Sequence, residues 1–210
     1  MDLDRLKDLI KKYRENMKYY HDTKNAYNET ECRDEYINPL LECFGWDVQN
    51  VQGKLPQYKE VVERFSNYSE RPDYTLTLNG VSKLFVEAKK PSVDIVVETE
   101  PAIQARKYGW NANHAMVILT NFEDMLIYDT TIKPAPGDNA RTALYRKYYF
   151  EEYAKKFDEI NALVSKESVY SGAYDDFVAK NFQESEKYHT KIDNIFLEQI
   201  NSWRLEIGRY

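Results

Sequence analysis

Cysteine, histidine, glycine and net positive charge are all scarce in this chain, and each shortage removes a class of function. Its 210 residues include two cysteines, Cys32 and Cys43. Both fall on one expected helix, where an eleven-residue separation spans roughly 16 Å. A disulfide needs Cα atoms within about 7 Å, so a reducing, cytoplasmic setting is expected. The three histidines, His21, His114 and His189, are scattered and form no i,i+4 metal-ligand pair. Only NANH at 111–114 faintly resembles a His-Asn nuclease, and no zinc-like or ββα pattern surrounds it. Among seven glycines there is no G-x-x-x-x-G-K-[ST] loop and no G-x-S-x-G elbow. That argues against a P-loop ATPase, an α/β-hydrolase and an enzyme that cradles small phosphate esters. No apolar run approaches the length of a membrane span. The first residues, MDLDRLKDLIKKY, are amphipathic and charged, unlike a secretory leader. Acidic residues outnumber basic ones by 35 to 29, giving a net charge of −6. A protein that binds DNA unaided usually shows a basic excess, because phosphate neutralisation dominates affinity. If this chain acts on DNA, most of the binding is expected to come from elsewhere.

What the chain has in quantity is tyrosine, 18 in all, many at helical spacing. We read these as packing and amphipathic surface rather than base stacking. The periodicity predicts a helix over 3–24, then a second from Asn28, capped by Asn28 with Glu31 in a capping box and ended by Gly45. Trp46–Val51 reads as a strand. Residues 52–70 read equally as a short helix or an extended edge. A hairpin follows over 71–90, then a helix from Glu98 to Tyr108 with Thr99 as a possible cap and Pro101 in its first turn. Residues 115–120 and 125–129 read as strands. The turn-rich segment KPAPGDN, 133–139, is the best boundary, and helices are expected beyond it at 142–164, 166–181 and 190–207. The fold class is therefore α/β: a mixed sheet of four or five strands flanked by helices over 1–140, then a helical extension over 141–210.

The chemistry concentrates in RPDYTLTLNGVSKLFVEAKK, 71–90. Asp73 opens one strand; Glu87 and Lys89 close the other, two apart and so on one face. Two carboxylates can hold a divalent metal through hard oxygen ligands, and an adjacent lysine can support a water nucleophile and an anionic transition state. A two-residue Asn79-Gly80 turn would place Asp73 opposite Val86, on the wrong face. A three-residue loop, Asn79-Gly80-Val81, pairs Leu78 with Ser82, Leu76 with Leu84, Tyr74 with Val86 and Asp73 with Glu87. The apolar pattern selects the second register; a bulge near Pro72 would have the same effect. Against this stands the plain alternative of a surface hairpin with solvated charges.

Other residues fit the same chemistry or a blander one. Glu29 is either a dipole-favoured acid paired with Arg33 at i,i+4 or a third carboxylate reaching the metal through water. Glu35 is its rival, on another face. Gln104 and Tyr108 are either a half-exposed i,i+4 pair or a pair facing the site, touching phosphate, water or DNA backbone. Arg106, Lys107, Lys90 and Arg33 are candidate phosphate contacts.

Assembled, these residues resemble the PD-(D/E)xK nuclease superfamily. More narrowly, the chain is similar to the N-terminal endonuclease domain of Type IIG restriction-modification enzymes, itself like the domain that opens the Type I restriction subunit. The resemblance rests on NETECRDEYINPLLECFGWDV (28–48), RPDYTLTLNG (71–80), VEAKKPSVDI (86–95), QARKYGWNA (104–112) and VILTNFEDMLIYD (117–129), in that order. It continues through TTIKP and FDEINALVSKESVYSGAYDDF.

The resemblance implies Mg²⁺, replaceable by Mn²⁺, held by Asp73, Glu87 and the Ala88 carbonyl. Lys89 would position the attacking water, Glu29 would be the acid of the first core helix, and Gln104 and Tyr108 would match Q-x-x-x-Y. It implies double-stranded DNA as substrate, and methyltransferase and target-recognition domains on the same polypeptide, with S-adenosylmethionine confined to the former. Neither domain fits in 210 residues, so the chain is expected to be a piece that ends in the connector. Two copies are expected to meet transiently for a double-strand break. The alternatives are the nuclease end of a Type I translocating subunit and a non-catalytic DNA-binding or assembly module of the same fold.

Overall fold

A computed structural model describes residues 2–24, 26–63 and 71–182. Its centre is one six-stranded sheet: β1 (Val61–Glu63), β2 (Tyr74–Leu78), β3 (Val81–Ala88), β4 (Met116–Thr120), β5 (Asp124–Asp129) and β6 (Leu144–Tyr149), in sequential spatial order. All neighbours are antiparallel except β3 and β4, which run parallel. A parallel pair needs a crossover, and α4 (Thr99–Ala112) supplies it.

Two apolar clusters cover the two faces. On one, Leu76, Leu84, Val86, Met116 and Ile118 pack with Leu6 and Tyr13 of α1 (Leu3–His21), with Cys32 of α2 (Glu29–Cys32), and with Leu40 of α3 (Asn38–Cys43). A π-helical turn, Arg33–Ile37, joins α2 to α3 without a break. The same cluster takes in Ile160 of α5 (Phe157–Val164), Val169 of α6 (Lys166–Ser171) and Val178 of α7 (Ala173–Asn181). On the opposite face, Phe85, Val117, Leu119 and Leu126 pack under Ala102, Ala105 and Tyr108 of α4. Gly109 allows that close approach, since a Cβ there would lie 2.6 Å from Thr130 Cγ2. Several tyrosines serve packing: Tyr13 lies 5.2 Å from Tyr36 and 5.4 Å from Tyr20, centroid to centroid. Both cysteines are buried and free. No helix among the described residues is long and apolar enough to cross a membrane.

Several sequence expectations change. The hairpin turns in two residues, with Leu78 paired to Val81 and both Asn79 (φ 50°) and Gly80 (φ 82°) left-handed, as a type I′ turn requires. A bulge between Leu76 and Thr77 restores the pairing of Leu76 with Leu84 and Tyr74 with Val86. The irregularity that sets the register therefore lies mid-hairpin, not in a longer loop or at Pro72. Trp46–Val51 forms turns instead of a strand, because the Asp47 carboxylate accepts from Val51 N at 2.7 Å and Gln52 N at 2.9 Å, a local competitor to ladder bonding. Of the ambiguous 52–70 segment, residues 52–63 contain a 3₁₀ turn, Pro56–Tyr58, and then β1, and 64–70 lie outside the described residues.

Beyond residue 140 the expected helix over 142–164 begins instead as β6, paired with β5. Its sequence, LYRKYY, is rich in tyrosine, which suits a pleated surface, and Arg146 and Lys147 keep this edge charged. The sheet thus runs past residue 140 and has six strands. The stretch 166–181 is divided by Gly172 at φ 85°. Thr99 does not cap α4; Glu98 holds that position, without a side-chain cap bond. The helix expected at 190–207 lies outside the described residues.

Candidate active site at the end of the central hairpin

The end of β3 carries the acids. Tyr74 pairs with Val86, which sets Asp73, the residue before β2, across from Glu87. Both side chains are buried, Asp73 at 6% and Glu87 at 2% exposure. Asp73 is fixed by the backbone: its Oδ2 accepts from Ala88 N at 2.8 Å. Lys89 Nζ donates to Glu87 Oε1 at 2.6 Å and stands 3.9 Å from Glu29 Oε2. Lys89 N–H in turn donates to Thr120 O at 2.9 Å, continuing the β3–β4 ladder past Ala88. Glu87 and Glu29 therefore meet at the Lys89 ammonium, and Asp73, across the strand pair from Glu87, acts on both Glu87 and Lys89 through its charge.

Burial, then the charge of Asp73, pushes the Glu87 carboxyl up to about 7, against the pull of Lys89. Burial pulls the Lys89 pKa down, but Glu87, then Glu29 and Asp73, hold it above the ordinary lysine value. Glu87 Oε2 is buried with no hydrogen-bond partner among the described residues. A buried carboxylate oxygen without a donor is costly, and a hard cation is a natural partner for it. Asp73 and Glu87 thus fit a divalent ion as its protein carboxylates. No group of three or more acidic, histidine or cysteine side chains among the described residues could hold a metal ion by itself, so backbone oxygen or water would complete the shell.

Helix α2 delivers Glu29, and the π-helical turn that follows it delivers Arg33. The start of α2 is set by the expected capping box: Glu31 N donates to Asn28 Oδ1 at 3.1 Å and Asn28 N to Glu31 Oε2 at 2.8 Å. Glu35, the rival to Glu29, faces Lys12 at 3.3 Å and Tyr20 at 3.5 Å. Arg33 is half-buried. Its Nη2 donates to Glu63 Oε2 at 3.2 Å, its Nε donates to Tyr74 Oη at 3.2 Å, and its Nη1 lies 3.7 Å from Asp73 Oδ1. Tyr74 Oη donates onward to Asn38 Oδ1 at 2.7 Å. Glu63, Tyr74 and Asn38 were not singled out in the sequence. Only the E-x-x-x-R spacing of Glu29 and Arg33 hinted at this cluster.

Helix α4 covers the face from which Phe85 and Glu87 project. Gln104 Nε2 donates to Tyr108 Oη at 3.0 Å, joining the Q-x-x-x-Y pair. Tyr108 is buried, Lys107 is exposed and Lys90 is half-buried. Arg106 is not available to DNA. It is fully buried, with Nη1 donating to Asp138 Oδ2 at 2.6 Å and Nη2 to Ile132 O at 3.3 Å. The expected boundary segment is thereby pinned to α4. A second hub lies at Asn121, which donates to Val93 O at 3.0 Å while its carbonyl receives the Cys32 thiol at 3.7 Å. It connects α2 to the segment that follows Lys89.

Residues 58–135 match the family described as Type I restriction enzyme R protein N terminus. That span contains Asp73, Glu87, Lys89, Gln104 and Tyr108. The chain is 39% identical over 208 residues to the Type II restriction enzyme and methyltransferase RM.Eco57I of Escherichia coli, covering 96% of this chain and 20% of that protein. The chain thus spans about a fifth of the length of this relative. A structure of the Type IIG restriction endonuclease BpuSI aligns over 77% of this chain and 19% of that one, with 18% identity and a TM-score of 0.41.

Proposed function

We propose that this chain, a relative of the N-terminal domains of Type IIG restriction-modification enzymes, is a Mg²⁺-dependent endonuclease module that hydrolyses phosphodiesters of double-stranded DNA. The observation that carries this reading is the convergence of Asp73, Glu87 and Lys89, with a buried Glu87 oxygen that lacks a donor among the described residues. Asp73 and Glu87 would hold the ion, and the Ala88 carbonyl would join them as the resemblance implies. Bound there, Mg²⁺ or Mn²⁺ would polarise a phosphate oxygen and acidify a water.

The chain's own groups do the rest. Lys89 keeps its proton and, as a cation, cannot ligate the metal; it offsets charge that develops on the phosphate or orients the water. Glu29 holds the far side of Lys89. Gln104 and Tyr108 form a polar pair on the neighbouring helix and would meet a phosphate or the water. Lys107 and Lys90 offer phosphate contacts. The module would rely on methyltransferase and target-recognition domains of the same polypeptide for sequence choice, with S-adenosylmethionine bound only there. With β6 part of the sheet, the connector would begin beyond Tyr149, and two copies would meet transiently for a double-strand break. The net charge of −6 is consistent with that division of labour.

The test is nicking of supercoiled plasmid by excess protein. Cleavage should need Mg²⁺ or Mn²⁺, stop with EDTA and vanish in Asp73→Asn. Metal-dependent cleavage undiminished in Asp73→Asn contradicts the proposal. Tight DNA binding with no cleavage under any divalent ion would favour the non-catalytic module.

A further inference from the structure

Arg33 sits where a divalent ion would be least welcome, and its surroundings look built for that position. Of the two Asp73 oxygens, Oδ2 is engaged by Ala88 N, and Oδ1 faces Arg33 Nη1 at 3.7 Å. Among the described residues the guanidinium is also held by Glu63 Oε2 at 3.2 Å, Tyr74 Oη at 3.2 Å and the Tyr74 ring, 4.7 Å from centroid to Cζ. Glu63 and Asp73 are both largely enclosed, with side chains 15% and 9% exposed. In such surroundings charges act on one another far more strongly than in water.

We propose that Arg33 is a resident counter-ion that competes with the divalent metal for Asp73 and gives way when a DNA phosphate draws the guanidinium, so that metal affinity is coupled to DNA binding. This rests on the nuclease reading of Asp73 and Glu87. The geometry supplies both halves of the coupling. Nη1 stands 3.7 Å from Oδ1, beyond a normal hydrogen bond, so Asp73 holds Arg33 loosely and can exchange it. The anchors at Glu63 and Tyr74 leave the guanidinium beside the acids whether or not Asp73 keeps it. A guanidinium pairs with phosphate through the same flat fork it offers to carboxylate. Without DNA, the positive charge raises the cost of a second cation in the pocket. With a phosphate present, that charge is neutralised and the cost falls. By linkage, metal must then tighten DNA binding by the same factor. The device would keep the module poorly loaded with metal until DNA occupies it.

Calorimetric titration of Mn²⁺ into the protein, alone and with a phosphorothioate duplex that resists cleavage, tests this. Arg33→Gln should bind Mn²⁺ about tenfold more tightly than wild type without DNA, yet cleave DNA more slowly. The duplex should tighten Mn²⁺ binding in wild type and leave it nearly unchanged in Arg33→Gln. Folding is checked by circular dichroism. If the variant does not fold, the wild-type Arg33 Nε–H resonance is followed by NMR and should shift on saturation with Mg²⁺. Unchanged or weaker Mn²⁺ binding in folded Arg33→Gln, equal tightening by DNA in both proteins, or an Arg33 resonance indifferent to Mg²⁺ overturns the coupling and leaves the nuclease reading intact. No Mn²⁺ binding by wild type overturns both.

Discussion

Lys89 donates to Glu87 Oε1 across 2.6 Å, from two positions further along the same extended segment. The bond leaves Oε2, the other oxygen of the same carboxylate, without a donor among the described residues. One carboxylate therefore faces a fixed cation on one side and an open demand for a cation on the other. That asymmetry separates the two proposed roles, charge stabilisation by Lys89 and metal ligation by Glu87.

Lys89→Ala is expected to lower single-turnover cleavage by about 10²-fold or more, the usual cost of removing a group that stabilises transition-state charge. DNA affinity should change little, since Lys89 is turned into the acid cluster rather than along the surface. Rapid-quench cleavage and a binding titration on the same duplex separate the two. A variant with near wild-type cleavage reassigns the water-positioning role.

Glu87 sets a pH dependence. Its carboxyl is pushed up to about 7 in the metal-free fold, against an ordinary glutamate near 4.3. Below about 4.3 both folded and unfolded chains hold the proton and Glu87 contributes no difference. Between there and about 7 the folded state holds more proton, so stability falls as pH rises, and above about 7 the loss is complete. Glu87→Gln should therefore raise the metal-free Tm at pH 8 and leave it nearly unchanged at pH 4. Metal binding at pH 6.5 should release a proton, visible as a calorimetric heat that varies with buffer. An unchanged Tm at pH 8 and a buffer-independent heat would contradict the placement of Glu87.

The register at the acids was legible from the alternation of Tyr74, Leu76, Leu84 and Val86, because only one face of the hairpin could be buried against the α1–α3 side. The bulge that achieves it was not legible. It reconciles a type I′ turn at Asn79-Gly80 with that register, and either feature alone leaves it out. The capping box at Asn28 and Glu31 was legible because it is local. Strand β6 was missed because LYRKYY carries tyrosine at spacings that suit either period, and only pairing with β5 decides. Arg106 was misread because a basic residue beside Gln104 looks solvent-facing on an isolated helix; the 132–138 segment that covers it is distant in sequence. The clamp on Arg33 needed Glu63, on a strand whose identity the sequence left open.

Arg106 and Lys107 are neighbours with opposite expected behaviour. Arg106→Ala takes the guanidinium from the Ile132 carbonyl and from Asp138, which keeps the Ala135 N–H, and should destabilise the fold in urea, while the folded fraction keeps its DNA affinity. Lys107→Ala should leave stability within about 0.5 kcal/mol and weaken DNA binding, lowering the slope of log affinity against log salt by about one. Reversed outcomes would return Arg106 to the DNA-contacting set.

The central claim, that Asp73 and Glu87 form a divalent-metal site, is tested most directly by calorimetric titration of Mn²⁺ at pH 8 into wild type, Lys89→Ala and Asp73→Asn. Asp73→Asn keeps an acceptor for Ala88 N, so its fold should survive. The account predicts one ion bound per chain in wild type and Lys89→Ala, and none in Asp73→Asn. Undiminished binding in folded Asp73→Asn, or no binding in wild type, would contradict it.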